Sequence, residues 1–361
     1  QTIYTSMKIA FCKFAGMGNG GIEKYLQTIA LIYHKEHNVD YYYTNAASFP
    51  CQSWQHPDND EQRIKLFEDN GINLIKIQVG YRIKNDWYNT NFTDLFDENK
   101  YDYLITAGNG ETEYPYKTLK KIPIIHTVHG DHVFDQSNVK YYVLLCDWQA
   151  KRWIQNGGDA SRLMIIPPVV YVPKSWNKNF RETIGIPNDA FVYGLHQRGD
   201  NSISSTISLE AFSQIQSPKT YYVIMGGGEA HRNYVRDNNI KNVIFINQSS
   251  CVHTIHSFLD SIDVYAHCRS DGEVCSASII EAMSHNTPII SYPGINMGHE
   301  EQLHGCGKMA FSVEEYKNEM IALQDSNYYN SMSQKINEKY NSVYNYQIVE
   351  AKIKNLINGN N

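Results

Sequence analysis

Two carboxylates, Glu273 and Glu281, stand with seven residues between them in the stretch 270–293, SDGEVCSASIIEAMSHNTPIISYP. Residues 264–267 (VYAH) are an apolar, strand-like run that enters a turn at Asp271 and Gly272. Residues 276–284 carry a helical pattern, Asn286 to Pro288 break it, and residues 289–291 form another strand. This reading places Glu273 on the loop and Glu281 on the helix. Ser276 or Ser278 can cap the first N–H groups of that helix, whose orphan donors and dipole attract anions. An anion held there lies between two acids. Two carboxylates beside a phosphate repel it unless they hold something else, and hydroxyl-rich groups on either side, a sugar and a ribose, would satisfy both. The residue types point to a nucleotide sugar. Taken as two isolated glutamates, they read as a surface loop acid and a solvated helix acid.

The whole string, from Glu273 through Glu281, Ala282 and Met283 to Thr287, Pro288, Ile289 and Ile290, resembles the nucleotide-sugar signature of the retaining glycosyltransferases of family 4. The resemblance implies the GT-B fold: two Rossmann-like, doubly wound α/β domains facing each other across a cleft. It also implies that Glu273 holds sugar hydroxyls, that Glu281 holds the ribose, and that Val274, Cys275, Ser276 and Ala277 line the donor. Where the family usually reads glycine, aromatic, glycine between the acids, this chain has Val274, Cys275 and Ser276.

The elements that must position these residues need room. At 361 residues the chain fits two domains of ordinary size, and a 42% hydrophobic fraction is ample for burial. Net charge is −6 with no long run of Lys or Arg, which argues against nucleic acid as a partner. The seven cysteines form no C-x-x-C pair and are odd in number, so they read as reduced thiols rather than a disulfide or zinc frame. No apolar run approaches the length needed to span a membrane. Met7 reads as a natural start, with residues 1–6 set aside and no signal peptide, and the expected location is cytoplasmic, peripheral to a membrane at most.

Residues 7–14 (MKIAFCKF) are a strand that runs into a glycine loop, residues 15–21, and then a helix over 22–35. Strand, loop and helix open a Rossmann-like unit and place backbone N–H groups where a diphosphate could lie. Gly16, Gly18 and Gly21 match G-x-G-x-x-G. A nicotinamide dehydrogenase would also want an acid at the end of the second strand, and Asp40 stands at its beginning. In the family resembled, Gly20 and Gly21 would face the diphosphate and acceptor. Strands and helices then alternate as a doubly wound sheet requires: strands at 72–79, 103–107, 123–128, 141–145 and 163–166, with a helix near 93–98. Asp58 and Asp60 imitate a D-x-D metal motif but follow a proline-containing loop. His126, His129 and His132 recur every third residue, yet on a strand and loop this spacing does not align metal ligands, and no metal is expected. The resemblance instead makes His129, before Gly130, the strand-end histidine at the reaction centre, with His126 second.

Pro167, Pro168 and Pro173 mark the linker. The expected division is 7–170 for an acceptor-side domain, 171–338 for a nucleotide-sugar-binding domain, and 339–361 for a C-terminal helix returning to the first. In the second half, strands at 190–196, 221–225, 243–247 and 264–267 alternate with helices at 209–215 and 254–259. Arg198 follows the first of these strands, and its several donors suit phosphate oxygens. The family carries an arginine and then a lysine here; this chain has serines at 202, 204 and 205 where the lysine would align. Leaving-group charge would therefore fall to Arg198, helix N-termini, and a group such as Lys13 or the glycine-loop amides.

The expectation is a retaining glycosyltransferase, needing no cofactor or metal, that moves a hexosyl group from GDP-mannose or UDP-glucose to a hydroxyl of a glycan or lipid-linked acceptor. Glu273, His129 and Arg198 would carry the reaction, and a homodimer is compatible with it. A nucleotide-sugar epimerase of the same fold and a non-catalytic nucleotide- or glycan-binding subunit are the alternatives.

Overall fold

The computed structural model describes residues 6–44, 61–130 and 138–358. Two compact units divide the chain: Gln1–Pro167 with Glu350–Asn361, and Pro168–Val349. Residues 339–349 thus go with the second unit.

In the first unit, strands β1 (Lys8–Cys12), β2 (Asn38–Tyr43), β3 (Asn73–Lys76), β4 (Tyr81–Ile83), β5 (Asp86–Tyr88), β6 (Tyr103–Gly108), β7 (Ile124–Val128), β8 (Val139–Leu144) and β9 (Leu163–Ile165) appear in chain order. Seven of them form one sheet in the order β3-β2-β1-β6-β7-β8-β9, every pairing parallel. Parallel strands covered on both faces read as nearly continuous apolar runs, as β7 (IIHTV, buried throughout) does. The order reverses between β1 and β6. The helix Gly21–His34 follows β1, and the chain's last helix joins it: Tyr33 donates to the Ile353 carbonyl at 2.5 Å, and Lys35 pairs with Glu350 at 2.8 Å. β4 and β5 form a separate antiparallel hairpin. That hairpin breaks the expected strand, helix, strand alternation: the strand foreseen over 72–79 ends at Lys76, and Gly80 and the positive-φ Lys84 and Asn89 punctuate the hairpin.

In the second unit, β10 (Phe191–Gln197), β11 (Thr220–Gly226), β12 (Val243–Ile246), β13 (Val264–Ala266), β14 (Gly272–Glu273), β15 (Ile289–Ser291), β16 (Asn296–Met297) and β17 (Lys308–Met309) appear in turn. The main sheet runs β12-β11-β10-β13-β15-β17, again all parallel, and its order reverses between β10 and β13. Helices such as Val252–Ser261 and Ala277–Met283 bury Phe258, Leu259, Ile279, Ile280 and Met283 against it. In open parallel sheets, the crevice beyond the carboxyl ends at such a reversal is where ligands bind. Among the described residues, no helix is long and apolar enough to cross a membrane.

Candidate active site

The reversal in the second unit brings together the ends of β10 and β13. Arg198 follows β10; His267, Cys268 and Arg269 follow β13. From Arg269 the chain turns through Asp271 and Gly272 into β14, which ends on Glu273. Gly272 has φ +67°, and a Cβ there would lie 1.9 Å from the Asn296 carbonyl oxygen. Only glycine allows this turn to pair in register with β16, Gly272 opposite Asn296 and Glu273 opposite Met297. Gly298 is as close: its Cβ would meet the Val274 carbonyl at 1.6 Å. The buried side chain of Gln302 completes the hold, accepting from the Ser276 N–H at 2.7 Å and donating to the Ser276 carbonyl at 3.0 Å. The loop carrying Glu273 is fixed along its whole length.

Three side chains converge on one oxygen of Glu273. Oε1 lies 3.3 Å from His267 Nε2, 3.3 Å from an Arg269 guanidinium nitrogen, and accepts from Ser276 Oγ at 3.1 Å. Oε2 has no protein partner among the described residues, and the side chain is 15% exposed. Burial alone would raise this carboxyl's pKa, but the charge of Arg269 and the His267 hydrogen bond outweigh it and hold the group at about 2. Glu273 is therefore an acceptor only. His267 is buried, which lowers its pKa against the opposing pull of Glu273; its Nδ1 is 2.7 Å from Ser291 Oγ. With a neutral ring, Nε2–H donates to Glu273 and Nδ1 accepts from the serine.

Arg269 forks onto Asp271 at 2.9 and 2.7 Å while also reaching Glu273. Burial lowers its pKa, yet Glu273 and Asp271 more than reverse that. Residues 202–205, the serine-rich stretch, lie alongside it: Ser204 bridges Arg269 in antiparallel fashion, and Ser270 N–H donates to the Ile203 carbonyl at 3.1 Å. Arg198 shares Asp200 Oδ2 at 3.3 Å through two nitrogens, and burial, then the nearby charge of Arg269, lower its pKa. Ser276 is the N-cap of the helix Ala277–Met283, accepting from Ile279 N–H at 3.4 Å. One turn on, Glu281 Oε2 sits 3.0 Å from His196 Nε2 at the end of β10. Both acids thus belong to the same end of one sheet, with Val274, Cys275 and Ala277 between them.

In the first unit, the reversal gathers the ends of β1 and β6. Lys13, buried, contacts Glu113 at 3.2 Å and Glu23 at 3.6 Å. Gly20 precedes, and Gly21 opens, the helix Gly21–His34, and Gln27 ties the loop by donating to the Gly16 and Gly18 carbonyls at 2.8 and 3.0 Å. His129 follows β7, its ring edge-on to Tyr25 with centroids 4.9 Å apart; burial, and secondarily Lys13, lower its pKa to about 3. His126 lies inside β7 between Thr106 Oγ1 and the Gly110 carbonyl, each at 2.6 Å, which occupies both ring nitrogens. It is a satisfied core histidine. His132, Asp58 and Asp60 lie outside the described residues. Among the described residues, no three His, Cys, Asp or Glu side chains group as metal ligands would.

Solved structures superpose on this architecture over nearly its whole length. The crystal structure of HepE from Anabaena in complex with UDP and glucose covers 98% of this chain and 100% of its own, with a TM-score of 0.73 at 17% identity. The chain has the GT-B fold. A glycosyltransferase from Rickettsia africae (TM-score 0.72, 12% identity) and sucrose-phosphate synthase from Thermosynechococcus elongatus (0.72, 14%) each match over 98% of both chains. Residues 179–332 match the family described as glycosyl transferases group 1. No curated protein matches the chain in sequence.

Within this GT-B chain, the second unit brings Arg198, Glu273, Val274, Cys275, Ser276, Ala277 and Glu281 to one sheet end, and the first unit brings Gly20, Gly21 and His129 to another. Sequence reasoning passed over Arg269, Asp271 and His196. The alternation Arg269, Asp271, Glu273 across a glycine turn was the available signal: opposite charges two residues apart in a loop have reason to fold onto each other.

Proposed function

We propose that the chain is a retaining, metal-independent hexosyltransferase that takes its sugar from a nucleoside diphosphate donor and passes it to a hydroxyl of a glycan or lipid-linked acceptor. The observation that carries this reading is Glu273: a carboxylate held ionised, its Oε1 saturated by protein groups and its Oε2 left to accept hydrogen bonds from outside. A sugar hydroxyl is the fitting donor. Glu281, backed by His196, would take the ribose hydroxyls, and Arg198 the diphosphate.

The chemistry asks the protein for placement and charge more than for covalent work. The bond from the anomeric carbon to the phosphate oxygen breaks, its electron pair going to the diphosphate. The acceptor oxygen attacks from the same face, and its proton goes to the departing oxygen. Arg198 would stabilise the charge that develops there, an interaction stronger in the transition state than in the ground state. Glu273 would fix the sugar through the oxocarbenium-like state. In the first unit we assign His129, neutral at physiological pH, and the Gly20–Gly21 turn to the same reaction.

UDP-glucose is the first donor to test, since HepE is known in complex with it, and GDP-mannose the second. Purified chain, incubated with labelled donor and with chelator present, should release nucleoside diphosphate and retain the anomeric configuration in the product. Glu273→Ala and Arg198→Ala should each lower turnover by a factor of about 100 or more without moving the unfolding transition of an Arg198 variant. Unchanged turnover in both would remove the assignment; donor isomerised without acceptor would make the chain an epimerase.

A further inference from the structure

The hairpin β4–β5 presents an unmatched cation to the ligand end of the first unit's sheet. Its register pairs Tyr81 with Tyr88, Arg82 with Trp87 and Ile83 with Asp86, so alternation puts Arg82 and Trp87 on one face. Trp87 is buried and stacks on Phe14, centroids 5.4 Å apart; Phe14 directly follows Lys13, and its N–H donates to Glu113 Oε2 at 3.4 Å. The inner face of the hairpin therefore abuts the reversal between β1 and β6. Arg82 lies there with its guanidinium carbon 4.8 Å from the Trp87 ring centroid.

This guanidinium has no hydrogen-bond or ion-pair partner among the described residues, and its Nε is shut off from solvent. The other half-buried arginines differ. Arg162 donates to the Val139 carbonyl, Arg181 pairs with Asp263, Arg198 with Asp200, and Arg269 with Asp271 and Glu273. Lys13, close enough for Arg82 to disfavour its charge, has its own two carboxylates. A partly buried charge without a partner is costly and is retained where something else supplies the partner. Two more buried polar atoms at this sheet end lack partners: Nε2 of His129 after β7, and Oδ1 of Asn19 in the glycine loop. A guanidinium fork, an imidazole nitrogen and an amide oxygen suit an oxyanion on a hydroxylated ligand.

We propose that Arg82 anchors an anion subsite of the first unit, binding a phosphate or carboxylate group carried by the acceptor. That the ligand is the acceptor rests on the function proposed above; that it is an anion does not.

The test uses the full chain, saturated with UDP so that any nucleotide site is filled, and labelled with ¹⁵N-arginine. The Nε–H resonance of Arg82, identified by its loss in Arg82→Gln, is followed while inorganic phosphate, glucose 1-phosphate or glucuronate is added. The expected result is a downfield shift of that resonance with a sugar-borne anion, and a calorimetric affinity about tenfold weaker or worse in Arg82→Gln. A response to glucose 1-phosphate alone identifies a sugar phosphate, and one to glucuronate a uronic acid. A response to inorganic phosphate but to neither sugar overturns the acceptor assignment. No shift with any probe, or equal affinity in Arg82→Gln, overturns the subsite. The UDP titration that precedes these additions reads the donor proposal separately: chain that fails to bind UDP loses that reading while the Arg82 resonance still decides this one.

Discussion

Arg269→Gln tests the electrostatics on which Glu273 depends. In the folded chain Glu273 is held at about 2 against its ordinary 4.5. At about 1.4 kcal/mol for each pH unit, the difference amounts to roughly 3 kcal/mol of stability. The sign comes from the direction of the shift. A depressed carboxyl contributes in full above 4.5, and the contribution is lost as pH falls from 4.5 toward 2. Without Arg269, burial of Glu273 is opposed by the hydrogen bonds from His267 and Ser276 but by no adjacent guanidinium, so the carboxyl's pKa rises and it protonates earlier. The variant should be less stable than the parent by about 3 kcal/mol at pH 7.5, and the gap should narrow at pH 4, where the variant's carboxyl has gained its proton. Urea unfolding followed by circular dichroism at the two pH values measures this, reading the transition that shifts, because two units need not unfold together. Glu273→Gln added to Arg269→Gln should recover about half of the loss at pH 7.5 or more. A gap of equal size at both pH values, or no recovery in the double variant, would refute the account.

Three more outcomes are expected from the same geometry. Gly298→Ala, whose Cβ would lie 1.6 Å from the Val274 carbonyl oxygen, should destabilise the second unit by about 3 kcal/mol or more and abolish transfer; a thermal melt within a degree of the parent would contradict the backbone packing. His126, fully buried, has its pKa lowered by that burial to about 4, so its neutral form is favoured in the fold and stability should fall as pH drops from 6.5 toward 4. His126→Gln should flatten that slope in denaturant titrations, whatever it does to stability at pH 8. Glu281→Ala should weaken UDP binding by a factor of about 10 to 100 in calorimetry and bind the 2′,3′-dideoxy analogue as the parent does; equal losses for both nucleotides would move the ribose contact elsewhere.

The doubly wound sheets were legible because parallel strands buried on both faces leave apolar runs that few other structures leave. β15 lies at residues 289–291 as read, and β10 within one residue of it. The hairpin β4–β5 was not legible: Tyr81 and Ile83 are exposed, Asp86 and Tyr88 are half-buried and only Trp87 is buried, so neither three-residue strand carries a period long enough to register. At the site, Glu273 and Glu281 were visible through their spacing and the proline-terminated helix between strands. Arg269 was not, because its importance is a matter of what it touches. The alternation of Arg269, Asp271 and Glu273 hinted that these charges meet, but only the structure shows the fork closing on Asp271 while another nitrogen reaches Glu273. His126 errs in the opposite direction: its sequence context matches His129, and only the bonds to Thr106 and Gly110 show that its nitrogens are both used.

The two reversal points treat charge in contrasting ways, and the contrast bears on what each can hold. In the second unit Arg269 is enclosed by Asp271 and Glu273, so the group left to meet a ligand is a carboxylate oxygen, suited to hydroxyl donors. In the first unit Lys13 is enclosed by Glu23 and Glu113, so the group left over is a guanidinium, suited to an oxyanion. Each enclosed cation fixes its neighbours, leaving one oxygen of Glu273 and the Arg82 guanidinium without a hydrogen-bond partner among the described residues. The charge of Glu273 is already paired with Arg269, whereas a half-buried Arg82 without an ion-pair partner lowers stability. Under the function proposed, the residual acceptor at one sheet end suits the hydroxyls of a donor sugar, and the residual donor at the other suits an anion on the acceptor.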